Sequence, residues 1–318
     1  MSRAGRAPLW LLLATLAAGC SAPAASPTAS SGTWELLASA PIARLEMAVA
    51  AHDGRIWLAG GLSPLGEALT DVDVFDPVTG QWSDGPSLPA SVHHAALVSD
   101  GERLLLMGGY LGSAFNRPSD LVLTLSDGDV QWREGSAMPD ALGAGAAAWD
   151  GERVVYAGGV GIDGVSANVY VLIDEAWERI GAMAAPREHL AATSDGAGTV
   201  WLLGGRVGGL DTNLATVEVV SGSSIGQLEP LPTARGGVAA FHDPELGACL
   251  TGGEAPGGAF RTAECVSTDG DITTLPEMVE PHHGHGAAAV DGVAYVLLGG
   301  PEPGLSASAT IEWLALDR

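Results

Sequence analysis

Short apolar runs recur along the chain, and each closes on a pair of glycines. Ile56-Trp57-Leu58-Ala59 precedes Gly60-Gly61, Leu104 to Met107 precedes Gly108-Gly109, Val154 to Ala157 precedes Gly158-Gly159, and Val200 to Leu203 precedes Gly204-Gly205. Ala248 to Thr251 before Gly252-Gly253 and Tyr295 to Leu298 before Gly299-Gly300 repeat the pattern. Successive doublets stand 48, 50, 46, 48 and 47 residues apart. A period in that range means one supersecondary unit copied along the chain. Runs of four apolar residues bounded by turn residues read as buried strands, not helices.

The rest of the unit repeats as well. A Pro-containing turn leads to a strand of small residues, as in Met47-Ala48-Val49-Ala50-Ala51, and an Asp-Gly turn follows at Asp53, Asp100, Asp150, Asp195 and Asp291. Asp-Gly between apolar strands is a hairpin signal. After each doublet and its loop comes an alternating strand, such as Val72-Asp73-Val74-Phe75-Asp76, and then a strand opening with Trp82, Trp132 or Trp177. Ile225 and Ile272 take the Trp place in the fourth and fifth units. Four short antiparallel strands per unit of about 50 residues make a propeller blade.

The order Arg or His, Asp-Gly, apolar-Gly-Gly, Val-acid-x-aromatic and Trp resembles the kelch repeat, over residues 34–318. The resemblance implies an all-β fold, a six-bladed kelch β-propeller. Blade five lacks its Asp-Gly turn, and blades four and five lack the Trp. After the last doublet, Ala309 to Leu314 supplies a third strand and the chain reaches Arg318 without a fourth. Trp34-Glu35-Leu36-Leu37 is an unassigned fourth strand at the other end. The N-terminal strand is therefore expected to complete the last blade, closing the ring and removing exposed edges.

Composition narrows the setting. The chain has 45 Gly and 16% charged residues, which suits short strands and tight turns. Its net charge is −24 and all of its basic side chains are Arg. An acidic chain lacks the footprint for nucleic acid or anionic lipid, and the absence of Lys excludes Schiff-base and P-loop chemistry. Arg3 and Arg6 precede an apolar run from Ala7 to Gly19, too short to span a bilayer. Leu16-Ala17-Ala18-Gly19-Cys20 resembles a bacterial lipobox, although Leu sits one residue early. The resemblance implies a signal peptide over 1–19, lipidation at Cys20 and an exported, membrane-anchored protein of the cell envelope. Ser21 after the Cys points to the outer membrane. Residues 20–33 read as a flexible tether, and residues 34–318 as the propeller. Cys249 and Cys265 flank one hairpin, and an oxidising compartment favours a disulfide over two buried thiols.

In a propeller, the blade-to-blade turns and the loops after the doublets share one face. Arg44, Arg187 and Arg235 open innermost strands and Arg206 and Arg261 follow doublets, so five guanidiniums are expected there, with Tyr110. His94, His189 and His285 each lie six residues before the Asp of a turn and read as a shared structural position. His282 and His283 fall beside the channel mouth. Neighbouring residues on a strand point to opposite faces, so His282, His283 and His285 make a poor metal site, and neither a metal nor a cofactor is expected. The favoured reading is a non-catalytic, monomeric binding scaffold. Its expected site is Arg44, Tyr110, Arg187, His189, Arg206, Arg235, Arg261, His282 and His283, taking a protein or a small anion. The alternative resembles the periplasmic sialic-acid mutarotase, a six-bladed kelch protein. That resemblance implies a sugar carboxylate held by Arg187, Arg206 and Arg235, with Glu188 and His189 as acid–base groups.

Overall fold

A computed structural model describes residues 32–316 together with Met1. The expected signal peptide beyond Met1, the expected lipidation site Cys20 and the expected tether up to residue 31 lie outside the described residues. The six apolar runs each form the second strand of a four-stranded antiparallel sheet, and the six sheets are the blades of a propeller. Blade 1 comprises Ala48–His52, Arg55–Ala59, Val72–Asp76 and Gln81–Asp84, in that spatial order. Blades 2 to 5 repeat the order. In blade 6, Gly286–Val290, Val293–Leu297 and Ile311–Ala315 are followed by Glu35–Leu36 from the other end of the chain, with Glu35 opposite Trp313. The innermost strands touch in sequence around the ring, and that of blade 6 packs on that of blade 1.

Apolar side chains sort by blade interface. Six core clusters fill the six gaps. Leu104, Leu106 and Val72 lie in the gap between blades 1 and 2, and Ile56, Leu58, Tyr295 and Trp313 in the gap between blades 6 and 1. A single sheet cannot bury both of its faces alone, so closing the ring is what completes every core. Fourth-strand Trp residues also bridge backwards. The indoles of Trp132 and Trp177 donate to the carbonyls of Pro86 and Ser136 in the preceding blades. Trp34 donates to Pro276 in the same way, which makes the N-terminal strand an ordinary fourth strand. Cys249 and Cys265 face each other on adjacent strands of blade 5 and are disulfide-bonded.

The glycine doublets serve the joints between blades. In blade 1, the Gly61 N–H donates to Val92 O of blade 2, while the Gly60 Cα lies so close to that carbonyl that a Cβ would collide with it. The same bond runs from Gly109 to Leu142, Gly159 to Arg187, Gly205 to Arg235 and Gly253 to His282. The sixth bond shifts the last pair by one residue from its sequence reading. It runs from Gly299 to Arg44, so Gly299 is the second member of its pair and Leu298 the first. Leu298 accordingly carries the positive φ of 58° that glycine supplies in the other five.

Candidate functional site

Two residues past each of those carbonyls lies a second ring. Glu46, His94, Ala144, His189, Gly237 and Gly284 all have positive φ, between 52° and 67°. Each N–H donates to the carbonyl of the preceding ring member, and the Glu46 N–H donates to Gly284 O, closing a circle of six hydrogen bonds at 2.6–3.0 Å. Left-handed backbone costs a non-glycine residue roughly 1–2 kcal/mol, and here it is held by neighbours on both sides. The ring lines a cavity of about 100 Å³. A wider cavity of about 420 Å³ opens toward the Asp-Gly turns, but its walls are mostly Ala and Val from the innermost strands. Asp195 and His242 are the ionisable side chains on its wall, whereas ionisable groups cluster densely at the narrow end.

Three ring side chains converge on one point. Nε2 of His94 lies 3.1 Å from Nε2 of His189 and 3.4 Å from Oε2 of Glu46, and His189 Nε2 is 3.9 Å from Glu46 Oε1. The glycines at 237 and 284 leave room for this, since a Cβ on Gly284 would fall on the Glu46 carboxylate. Around the three stands a polar shell. His189 Nδ1 bonds the Glu188 carboxylate, and His94 Nδ1 lies 2.5 Å from His93 Nδ1. The Arg206 guanidinium donates to Glu188 at 3.0 Å and to Glu254 at 2.7 Å. Glu254 also accepts from the Gly304 N–H, and His283 lies 3.7 Å from it. Phe115 and Tyr110 pack their rings against His93 and His94.

Burial dominates the electrostatics. It pushes the Glu46 carboxyl up to about 7, with Glu254 adding to the rise and His283 and Arg206 opposing it. It pushes His94 and His93 down to about 3 and His189 well below its usual range. Neutral imidazoles therefore face a carboxyl near its midpoint at neutral pH.

The nine residues expected at this mouth divide in the structure. His189, Arg206, His283 and Tyr110 do surround the axis. Arg44, Arg187 and Arg235 do not line it, because they are fully buried inside their blades. Each bonds the carbonyl of the first glycine in its own blade and a carboxylate on the third strand: Gly60 and Asp73, Gly204 and Glu218, Gly252 and Glu264. His282 fills the same place, reaching Leu298 O and Glu312. Arg261 sits at the rim and donates to Met278 O. The sugar-carboxylate reading needs guanidiniums that meet at one point, and two of its three end inside blades. His285 also departs from its sequence alignment with His94 and His189. It sits one residue further on than the ring, with its ring turned to the Thr251 hydroxyl at 2.9 Å. Glu46 and Glu254 are absent from a sequence expectation built on the basic side chains, and Glu188 enters it only as an acid–base group of the sugar reading. Glu46 carries a signal in hindsight: it stands two residues after Arg44, as His189 stands after Arg187.

The kelch motif matches residues 43–89, which is blade 1 from its ring position to its exit. The chain is a kelch-repeat β-propeller. Alpha-scruin of Limulus polyphemus is 42% identical over 62 residues, 18% of this chain and 7% of that protein. The kelch-like protein terF of Aspergillus terreus is 26% identical over 219 residues, 65% of this chain and 38% of that protein. The propeller thus covers well under two thirds of either relative's length.

Proposed function

We propose that this propeller is a non-catalytic scaffold that binds a protein partner over its central mouth. It does so at the cell envelope, exported by its leader and held by lipid on Cys20. The supporting observation is a crown of bare apolar side chains. Leu65, Phe115, Ile162 and Leu305 sit on loops that follow the doublets of blades 1, 2, 3 and 6, and are 85, 53, 94 and 63% exposed. Phe115 rests on the mouth histidines, and the Leu305 side chain lies beside Gly66, next to Leu65. Apolar tips spread over several rigidly held loops are what a protein interface uses. A small anion is the weaker candidate, since the Arg206 guanidinium at the axis already ends on two carboxylates.

The test compares immobilised wild-type protein with a variant in which Leu65, Phe115, Ile162 and Leu305 are all Ser, using one envelope extract. A partner retained by the wild type and lost by the variant, with both melting at the same temperature, is the expected result. Equal retention by both moves binding off this face and defeats the reading.

A further inference from the structure

We propose that Glu46, His94 and His189 form a binding site for one divalent first-row transition-metal ion on the propeller axis, independent of any partner at the mouth. The first argument is distance. Ligands about 2.0–2.2 Å from such an ion are separated from one another by about 2.9–3.5 Å, depending on geometry. Two of the separations here, 3.1 Å between the imidazoles and 3.4 Å from His94 to Glu46 Oε2, fall inside that range, the 3.9 Å from His189 to Glu46 Oε1 lies just beyond it, and one ligand atom from each residue fits within 4.8 Å of the others. Two imidazoles and one carboxylate on a single face are a donor set suited to Zn²⁺, Fe²⁺ or Co²⁺ and ill-suited to Mg²⁺ or Ca²⁺.

The second argument comes from the groups behind the ligands. Glu188 bonds Nδ1 of His189, which places the proton there and leaves a lone pair on Nε2, facing Glu46 and His94. A carboxylate behind a ligating imidazole is the usual support of a metal-bound histidine. His93 stands in the same relation to Nδ1 of His94. When His94 donates that proton to His93, its Nε2 also presents a lone pair. Two lone pairs 3.1 Å apart beside a carboxylate call for a cation between them.

The third argument is charge. Three carboxylates, Glu46, Glu188 and Glu254, surround one guanidinium, Arg206, in a largely buried cluster. Ionised, they leave a net charge of −2, which a divalent ion balances. The site is not sealed: the side chains of Glu46, His94 and His189 keep 13, 3 and 10% exposure.

Chelator-treated protein is titrated with Co²⁺ and followed by visible d–d absorption and by calorimetry. One equivalent is expected to bind with nitrogen-ligand bands, and excess Mg²⁺ is expected not to displace it. His94→Ala and His189→Ala each abolish the bands. The ring tolerates them, because Ala144 already holds the same backbone conformation in blade 3. His94→Asn is a second variant whose side chain is at ease with positive φ. Glu188→Gln keeps the stoichiometry and weakens binding about 10–100-fold. No Co²⁺ bands in the wild type, or bands that persist in folded His94→Ala and His189→Ala proteins, overturns the site. The alternative structure in that case is a chain of hydrogen bonds from Glu188 through His189 and His94 to His93.

Discussion

At the scale of single residues, the eight histidines have different jobs, and counting along the sequence separates them only in part. His94 and His189 belong to the axial ring. His285 lies six residues before its turn, as they do, yet it is not a ring residue. The reason is turn length. Blades 1 and 6 turn with two residues, His52 pairing Arg55 and Val290 pairing Val293, whereas in blade 2 Ser99 pairs Leu104 across four. The tighter turn adds one residue to the inner strand, so a count of six back from the Asp stops one residue short of the ring. His285 faces Thr251, and burial, with His282, His283 and Arg235 nearby adding to it, holds its pKa well below the usual range. The folded state therefore refuses a proton that the unfolded chain accepts below about pH 6.5. Its contribution is fully present above that pH and is lost as pH falls below it, at up to about 1.4 kcal/mol per unit. His285→Gln keeps a donor for Thr251 and does not titrate. The acid limb of its stability profile, from urea midpoints between pH 6.5 and 5, should be shallower than that of the wild type by about one proton. Parallel limbs would mean that His285 is charged in the fold.

At the scale of the element, the blades share one backbone plan with two interchangeable fillings. Blades 1, 4, 5 and 6 place Arg44, Arg187, Arg235 or His282 against Asp73, Glu218, Glu264 or Glu312. In blade 2 the same two places hold Val92 and Leu123, and in blade 3 they hold Leu142 and Tyr170. Leu123 pairs with Leu106 as Asp73 pairs with Leu58. The strand order and the doublets were legible because period and Gly-Gly spacing depend on backbone geometry. The arginines were misplaced because a charged side chain at the start of a strand reads as exposed, whereas here a partner acid 29 to 31 residues further on draws it inside. That partnership makes the pair separable by mutation. Removing one member of a buried ion pair costs about 3–5 kcal/mol, while replacing both with well-packed apolar residues is often near neutral. Asp73→Leu alone should lower unfolding free energy by about 3–5 kcal/mol. Adding Arg44→Val, which reproduces blade 2, should restore most of it. The double-mutant cycle in urea reads the coupling directly, and additive losses would mean that Arg44 and Asp73 do not hold each other.

At the scale of the whole molecule, everything above depends on closure. Each core cluster lies between two blades, so a blade without its neighbour leaves an apolar sheet face in water. The axial ring likewise needs all six members, since each ring N–H is satisfied by the blade before it. The closing strand is short, Glu35–Leu36, and its hold rests mainly on Trp34, which is 4% exposed, packs among Cys249, Met278 and Leu314 and donates to Pro276. The end-joining was readable in the sequence because one blade lacked a fourth strand and one strand lacked a blade. The ring side chains that converge on the axis were not, because their meeting depends on three blades arriving at one point from residues 46, 94 and 189. Truncating a buried Trp costs about 3–5 kcal/mol, so Trp34→Ala should weaken the fold by about that much while the strand still pairs. Deleting residues through Leu37 goes further, because it bares the whole edge of Ile311–Ala315, a strand apolar at every position but Glu312, and leaves its outer backbone groups unpaired. The truncated chain should melt at a lower temperature than Trp34→Ala and elute as concentration-dependent dimers or larger species in size-exclusion chromatography. A truncated chain that remains a monomer with wild-type stability would show that the ring holds without its N-terminal strand.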